Sequence, residues 1–235
     1  IFVTKGKLYI IPNYLGENSL FDFDNGTKSK INEINNFIFE NEKNGRAFIN
    51  RINPKKDQSV LNIKLLNKFT EFQLIYEMVK PCLEGNDVAL ISDAGCACVA
   101  DPGKDLVMVC HNNKIKVKPL VGPSSILLAL MASGLDGQNF EFIGYLPIKT
   151  SQKKRFIKDI EIKSRKTTQI FIETPYRNNK LINNLSSYLK PSTVLCVASE
   201  LSLKNESVVT DTIENWKKKK IDLNKKPSIF LIQSK

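Results

Sequence analysis

The 235-residue chain has room for one large domain or two smaller ones, and it contains 42% hydrophobic and 25% charged residues. This composition is typical of folded globular proteins and excludes collagen-like, low-complexity and disulfide-rich classes. The net charge of +11 favours a polyanionic partner, because Lys and Arg gain affinity for phosphates by releasing counterions. An A/T-rich genome would produce the same excess of Lys, so charge alone does not assign a function.

Several classes of site and compartment are excluded by particular residues. The single histidine, His111, rules out sites that need two histidines, and its place before Asn112 and Asn113 predicts an exposed helix end. The cysteines are odd in number and residues 1–10 lack the apolar stretch of a secretory signal, which predicts reduced thiols in a cytoplasmic protein that does not span a membrane. Cys96 and Cys98 have the spacing of a metal site, but their small apolar neighbours favour packing, and we predict no metal.

The first half of the chain predicts alternating strands and helices. Candidate strands lie at 7–12, 36–40, 61–66, 87–92 and 115–120. Between the third and fourth, apolar residues recur at helical spacing up to Gly85, and Thr70 stands where a helix cap is expected. This order is typical of βαβ units and therefore of a parallel sheet.

The second half continues the alternation after an apolar helix at 125–134. Helices are predicted near 153–163 and 177–188, and candidate strands lie at 141–146, 169–173, 193–199, 207–213 and 228–233. The late strands follow one another directly, which favours an antiparallel or mixed sheet. We therefore predict two α/β domains, residues 1–120 and 121–235, the second with a mixed sheet.

Four loops that follow strands are candidate ligand sites, because ligands of open α/β sheets gather at the carboxyl ends of the strands. They are residues 13–18, 92–103, 121–125 and 173–177. The second is rich in Gly and Ala, which lets backbone groups approach a ligand, and Asp93 is expected at its lip either as a ligand contact or as a turn former. The sequences GxGxxG and GxxxxGK[ST] are absent, which argues against a standard dinucleotide site and a P-loop.

The other two candidate loops each allow two interpretations. Pro123 suits the first helical position, and Ser124 and Ser125 would then form either an anion site or an ordinary cap at the helix start. Glu173 and Arg177 would either position a ligand or form a surface ion pair.

Taken in order, the segments LYIIPNYLGE, VALISDAGCACVADPG, VKPLVGPSSILLALMASGL, FEFIGYLP and IFIETPYRNNKLI carry a specific resemblance. The chain resembles the tetrapyrrole-methylase superfamily of S-adenosylmethionine-dependent methyltransferases, in particular its ribosomal small-subunit RNA methyltransferase I branch. This resemblance implies two α/β domains with the methyl donor, S-adenosylmethionine, in the cleft between them, usually in a homodimer.

The resemblance also implies which residues bind the donor. They are Leu15, Gly16, Ser92, Asp93, Ala94, Ala97, Ser124, Ser125 and Glu173. Where the RNA-modifying branch has Glu-Asp-Thr-Arg after its second strand, this chain has residues 40–43 as Glu-Asn-Glu-Lys, so that an acid has become an amide and an arginine a lysine. The loop after Asp93 also lacks the family's frequent Pro.

The expected activity is 2′-O-methylation of a cytidine in small-subunit ribosomal RNA, with the RNA or the small ribosomal subunit as partner. Residues expected to contact RNA phosphates are Lys43, Arg46 and Arg177. Candidates for removing the hydroxyl proton are Glu40, Lys43, Asp93 and Glu173, and the sequence does not choose among them. Two alternatives stay open at this point: C-methylation of a tetrapyrrole, and a noncatalytic RNA-binding relative whose donor site has decayed.

Overall fold

The first half of the chain builds a five-stranded parallel sheet in the computed structural model, which describes residues 4–234. Its elements are β1 (Lys7–Ile11), α1 (Asn25–Glu33), β2 (Asn36–Phe39), α2 (Glu42–Ile52), β3 (Asn62–Leu65), α3 (Phe72–Leu83), β4 (Val88–Ile91), α4 (Lys104–Asn112) and β5 (Lys116–Pro119). The strand order is β3-β2-β4-β1-β5, and every neighbouring pair is parallel. All five carboxyl ends therefore lie along one edge, with the loop after β1 between those after β4 and β5.

Both faces of this sheet are buried, as the apolar runs of its strands require. Successive side chains point to opposite faces, so Leu8 packs in the cluster that includes residues of α3 and α4, whereas Tyr9 packs with residues of α1 and α2. Ile38 and Phe37 on β2 divide in the same way. The carboxyl edge is thus held by two separate apolar layers.

The second half forms a mixed sheet, as predicted. Its elements are α5 (Ser125–Ser133), β6 (Phe140–Tyr145), α6 (Thr150–Lys163), β7 (Thr168–Ile172), a 3-10 turn (Pro175–Arg177), α7 (Asn178–Tyr188), β8 (Val194–Ser199), β9 (Ser207–Thr212), α8 (Ile213–Trp216) and β10 (Ser228–Gln233). The order is β6-β7-β10-β8-β9, in which β6 and β7 are parallel and the other pairs are antiparallel. Within its core, the indole N–H of Trp216 donates to the Leu195 carbonyl at 2.8 Å.

The described residues divide into two compact units. Residues 4–17 and 21–123 form the first, and residues 124–234 form the second together with Asn18–Leu20. In this short segment the Leu20 N–H donates to the Ser202 carbonyl at 2.7 Å, and the hydroxyls of Ser19 and Ser202 lie 2.9 Å apart. Folding domains at 1–120 and 121–235 stay a prediction.

One local prediction is wrong. Thr70 does not cap α3, which begins at Phe72 after Glu71 and has no side-chain cap. The Thr70 hydroxyl instead accepts from the Asn67 N–H at 2.9 Å and donates to the Leu65 carbonyl at 3.3 Å. It closes the turn after β3, a competing local use of a threonine hydroxyl.

No helix within residues 4–234 is long and apolar enough to span a bilayer.

Candidate functional site

The loops that follow β1 and β4 are joined by a short antiparallel bridge. The Asn13 N–H donates to the Gly95 carbonyl at 2.8 Å, and the Gly95 N–H donates to the Asn13 carbonyl at 3.2 Å. The Asn13 amide also donates to the carbonyls of Ser92 and Asp93, at 2.8 and 3.2 Å. Asn13 is buried, and these four contacts fix the first candidate loop against the second.

The loop after β5 packs against the other two. A Cβ on Gly122 would lie 2.5 Å from the Pro12 Cβ, so glycine is required for this approach. At Gly95 a Cβ would lie 3.2 Å from the Leu15 side chain and 3.7 Å from the Pro123 carbonyl. Three of the four predicted loops therefore meet at the carboxyl edge of the first sheet.

The loop at 92–103 is also stabilised by hydrogen bonds within the loop. The Ser92 hydroxyl donates to the carbonyls of Ala94 and Gly95, at 3.2 and 3.0 Å. Cys98 and Ala100 have φ values of 68° and 62°, in the left-handed region that is costly for residues with a side chain. Asp93 and Ala94 remain exposed, whereas Ala97 is buried in the apolar core. A donor contact from Ala97 would therefore have to come from its backbone.

A cavity of about 440 Å³ opens beside these loops. It is lined by Asn13, Tyr14, Gly16, Glu17, Asn44, Ala47, Phe48, Arg51, Asp93 and Ala94. Of the predicted donor contacts it brings together Gly16, Asp93 and Ala94, and Leu15 lies next to Gly16 in the same loop. Its opposite wall comes from α2, which the sequence did not associate with the donor.

Arg51 is the main feature of this cavity that sequence reasoning missed. Its guanidinium lies over the Tyr14 ring, 3.6 Å from the ring centroid, and its Nη1 donates to the Glu17 carbonyl. Burial raises the pKa of Tyr14, while the Arg51 charge acts in the opposite direction. Tyr14 thus keeps its proton at neutral pH and supplies an apolar ring with a cation above it.

Three carboxyl groups lie close to one another at this edge: Glu40 after β2, and Asp93 and Asp101 after β4. Burial raises the pKa of Glu40, with a further rise from the Asp93 charge, against a smaller effect of the Asp93 backbone N–H. Burial, followed by the charges of Glu40 and Asp93, raises the pKa of Asp101 to about 6. Asp101 was not among the predicted site residues, although its position in the glycine-rich loop at 92–103 could have indicated it.

The start of α2 explains what the departure at residues 40–43 does. Asn41 is the N-cap, and its side-chain oxygen accepts from the Asn44 N–H at 3.2 Å, as an aspartate oxygen would. Lys43 is exposed on the first turn. Arg46 is held by Glu42 at 2.8 Å and by the Gln58 carbonyl at 3.1 Å. Of the two cations predicted on α2, Arg46 is thus already partnered.

The first helical residue of α5 lies two positions after the one predicted, Pro123. Ser124 is the N-cap, its hydroxyl accepting from the Leu127 N–H at 3.5 Å, and Ser125 is the first helical residue. Pro123 therefore precedes the cap, and its predicted place in the first turn is wrong because the cap needs a side-chain oxygen that proline lacks. Cap geometry is present, so the ordinary interpretation of this motif holds whether or not an anion also binds.

In the second unit, Glu173 is a buried carboxylate surrounded by donors. Its Oε1 accepts from Arg177 Nη2 at 2.6 Å and from the Thr174 N–H at 2.8 Å, and its Oε2 lies 3.3 Å from Lys153 Nζ. Burial alone would raise the pKa of Glu173, but the hydrogen bonds from Thr174, Arg177 and Lys153 outweigh it and lower the pKa. The ion pair between Glu173 and Arg177 forms as one of the two predicted alternatives, but it is not wholly on the surface, because the Glu173 side chain is 0% exposed and the Arg177 side chain 38%. Lys153 was not anticipated from the sequence.

The cysteines and the histidine take ordinary structural positions. His111 is exposed in the last turn of α4, as predicted. Burial raises the pKa of Cys98 to about 11, so its thiol stays protonated. Within residues 4–234, no three or more His, Cys, Asp or Glu side chains are grouped to hold a metal ion.

Comparison with known proteins places this architecture in a family. The model of the Tetrapyrrole (Corrin/Porphyrin) Methylases matches residues 38–216. The chain belongs to the tetrapyrrole methylase family. The ribosomal RNA small subunit methyltransferase I of Vibrio cholerae is 30% identical over 201 residues, which is 86% of this chain and 67% of that protein.

Solved structures show the same tetrapyrrole methylase fold. The methyltransferase CobJ aligns with a TM-score of 0.64 at 13% identity, over 97% of this chain and 94% of its own. A uroporphyrin-III C-methyltransferase of Thermus thermophilus, solved with S-adenyl homocysteine, aligns with a TM-score of 0.56 at 12% identity over 97% of both chains. The predictions of the family, the α/β fold class and an S-adenosylmethionine-dependent methyltransferase activity are confirmed by these matches.

Proposed function

We propose that this tetrapyrrole methylase family member 2′-O-methylates a cytidine of small-subunit ribosomal RNA. The observation that carries the proposal is the 30% identity to a ribosomal RNA small subunit methyltransferase I over 86% of the chain. The structures of tetrapyrrole enzymes align at 12–13% identity and support the fold alone. The net charge of +11 agrees with an RNA substrate.

We infer that the donor contacts the loops at the carboxyl edge of the first sheet. The exposed carboxylate of Asp93 and the cavity beside Gly16 and Ala94 fit a ligand that carries a sulfonium cation, a ribose and an amino-acid tail. Backbone groups of the loop at 92–103 can approach such a ligand closely, because its residues are mostly small. Ser124 and Ser125 complete the proposed set together with Ser92, Ala97 and Glu173, whose buried side chains leave only their backbone groups for a donor contact.

In the reaction, residues of this chain align the methyl donor with the acceptor hydroxyl and accept the hydroxyl proton. When bound, S-adenosylmethionine supplies a methyl group that positive sulfur has already activated, so orientation accounts for much of the rate. Glu173 is a poor proton acceptor, because donors lower its pKa and its carboxylate is buried. Glu40 and Asp101 have raised pKa values and lie near Asp93. We therefore infer that one of these two carboxyl groups accepts the proton of the ribose hydroxyl.

We propose that Lys43, Arg46 and Arg177 contact RNA phosphates. Because Arg177 also donates to Glu173, changing it would affect more than RNA binding. The proposal is therefore tested on α2, by combining Lys43→Gln with Arg46→Gln. The matched control, Lys114→Gln with Lys116→Gln, removes the same charge at the amino end of β5. We expect the first variant to reduce the slope of log affinity against log salt by about 1 to 2, since each phosphate contact contributes about 0.7 to 0.9. Equal effects of both variants would contradict this assignment.

The substrate class is tested by offering labelled donor with either of two acceptors. We expect methyl transfer to small ribosomal subunits that lack the modification and none to a uroporphyrinogen. Transfer to the porphyrinogen alone would replace the proposal with tetrapyrrole methylation. Donor binding without transfer to either acceptor would contradict both activities, and absence of donor binding would favour a noncatalytic relative.

We further propose that the protein is cytoplasmic, which agrees with a ribosomal substrate, and that it forms a homodimer. The helix α5 is apolar around its whole circumference, and its Leu127 and Met131 are 52% and 80% exposed. Such a helix is expected to be covered on more than one side. Analytical ultracentrifugation should find a dimer that Met131→Glu converts to a monomer, and a monomeric unmodified protein would contradict the proposal.

A further inference from the structure

A second cavity, of about 680 Å³, lies on the second unit between α7 and the segment at 216–222. The helix lines it with Asn179, Asn183 and Ser186, whose spacing of four and three residues places them on one helical face. The side chains of Asn183 and Ser186 are suited to donate to phosphate oxygens and ribose hydroxyls, whereas the Asn179 side chain already donates to Asp222 at 2.8 Å and accepts from the Leu223 N–H at 2.7 Å.

The opposite wall is basic, and its lysines are not equivalent. Lys217, Lys219 and Lys220 line the cavity, whereas Lys218 does not line it and lies 3.8 Å from the Glu214 carboxylate. All four side chains belong to exposed residues, so they can reach a polymer without losing much hydration.

The acidic residue in this cavity is already partnered. Asp222 accepts from the Asn179 amide at 2.8 Å, and the hydrogen bond from Asn179 is the main cause that lowers the pKa of Asp222. Lys219 lies 3.2 Å from Asp211. Lys217 and Lys220 are therefore the cavity lysines that carry the argument.

The lysine segment is anchored at its start. Trp216 is 3% exposed and donates its indole N–H to the Leu195 carbonyl at 2.8 Å. Because Trp216 is fixed in the core, the backbone of the lysines that follow it is already partly ordered. This lowers the conformational entropy that the segment would lose on binding.

We propose that this cavity is a second RNA-binding surface, which contacts the phosphate backbone of the ribosomal RNA away from the methylated nucleotide. The inference rests on the proposed function. Its cations are exposed and distributed along one wall, and the facing wall from α7 is uncharged, with polar side chains beside the apolar Ile182. This arrangement suits the successive phosphates of a strand better than one compact anion. The surface positions the RNA and takes no part in the chemistry.

The test compares two double variants that lose the same charge. Lys217→Gln with Lys220→Gln removes cavity lysines, and Lys204→Gln with Lys218→Gln removes exposed lysines that do not line the cavity. The probes are naked small-subunit ribosomal RNA and assembled small subunits, each titrated across a salt series. We expect the cavity variant to bind naked RNA about three- to thirtyfold more weakly with a smaller salt slope, and the control to change it less than about twofold.

Each outcome separates this inference from the proposed function. Unmodified protein that neither binds nor methylates the RNA would contradict the proposed function. Normal binding by the unmodified protein with equal losses in both variants would contradict the cavity alone. A loss confined to assembled subunits would assign the surface to a ribosomal protein and overturn its assignment to RNA.

Discussion

Asp93 combines an exposed carboxylate with a backbone held by Asn13, so its side chain can be changed without loss of the loop. We expect Asp93→Arg to weaken donor binding by at least about a hundredfold, because the variant loses a carboxylate and fills the cavity with a cation, a total of roughly 3 kcal/mol. Calorimetry with S-adenosylmethionine measures the effect. Asp159→Arg, an exposed change on α6, is the matched control. Retained affinity in a folded Asp93 variant would place the donor elsewhere.

The buried group around Glu173 should act on stability. Glu173→Gln leaves Lys153 and Arg177 without their anion, and we expect it to lower the free energy of unfolding by about 3 kcal/mol. Combining it with Lys153→Met should cost less than the sum of the two single changes, because the pair is removed together. Urea denaturation measures all three variants, and additive losses would show that the pair is not coupled.

The same carboxylate predicts a direction for acid sensitivity. Its pKa is lowered from 4.5 in the folded protein, so its contribution to stability is present above 4.5 and is lost as the pH falls through the folded-state value. Glu173→Gln should remove this part of the acid loss, which unfolding curves at several pH values below 4.5 would measure. An unchanged pH dependence in the variant would assign the acid loss to other carboxylates.

Some residues of the candidate site could be predicted from the sequence and others could not. Asp93 was predictable because it directly follows a buried strand in a glycine-rich loop. Arg51 was not, because its approach to Tyr14 depends on how α2 packs over the sheet and no local pattern encodes that contact. The burial that raises the pKa of Asp101 is likewise a tertiary property.

At the level of elements, the N-cap of α2 is Asn41, where the RNA-modifying branch has an aspartate. We expect Asn41→Ala to lower the free energy of unfolding by about 1 kcal/mol through loss of the cap. Asn41→Asp should retain the free energy of unfolding or raise it by roughly 0.3 to 1 kcal/mol, because a negative charge at the N-terminus interacts favourably with the helix dipole. Urea denaturation distinguishes them, with Asn50→Ala inside the same helix as a control. Equal losses for Ala and Asp would mean that the cap does not stabilise the helix.

Elements were predicted well where periodicity decides and poorly where side-chain hydrogen bonds decide. The alternation of strands and helices predicted a parallel sheet, and parallel pairing then brings the loops after β1, β4 and β5 to one edge. The cap at Thr70 and the position of Pro123 were wrong, because each depends on which oxygen finds which N–H. Asn13, whose amide joins two loops, gave no periodic signal at all.

For the whole molecule, the central claim is the nature of the methylated group. The most direct measurement is mass spectrometry of nucleosides from unmodified small ribosomal subunits after incubation with the protein and S-adenosylmethionine. The proposed function predicts one new methyl group, on the ribose 2′-oxygen of a cytidine, that is absent when Asp93→Arg replaces the unmodified protein. A protein that binds the donor but leaves every nucleoside unmethylated, or that methylates a base instead, would contradict it.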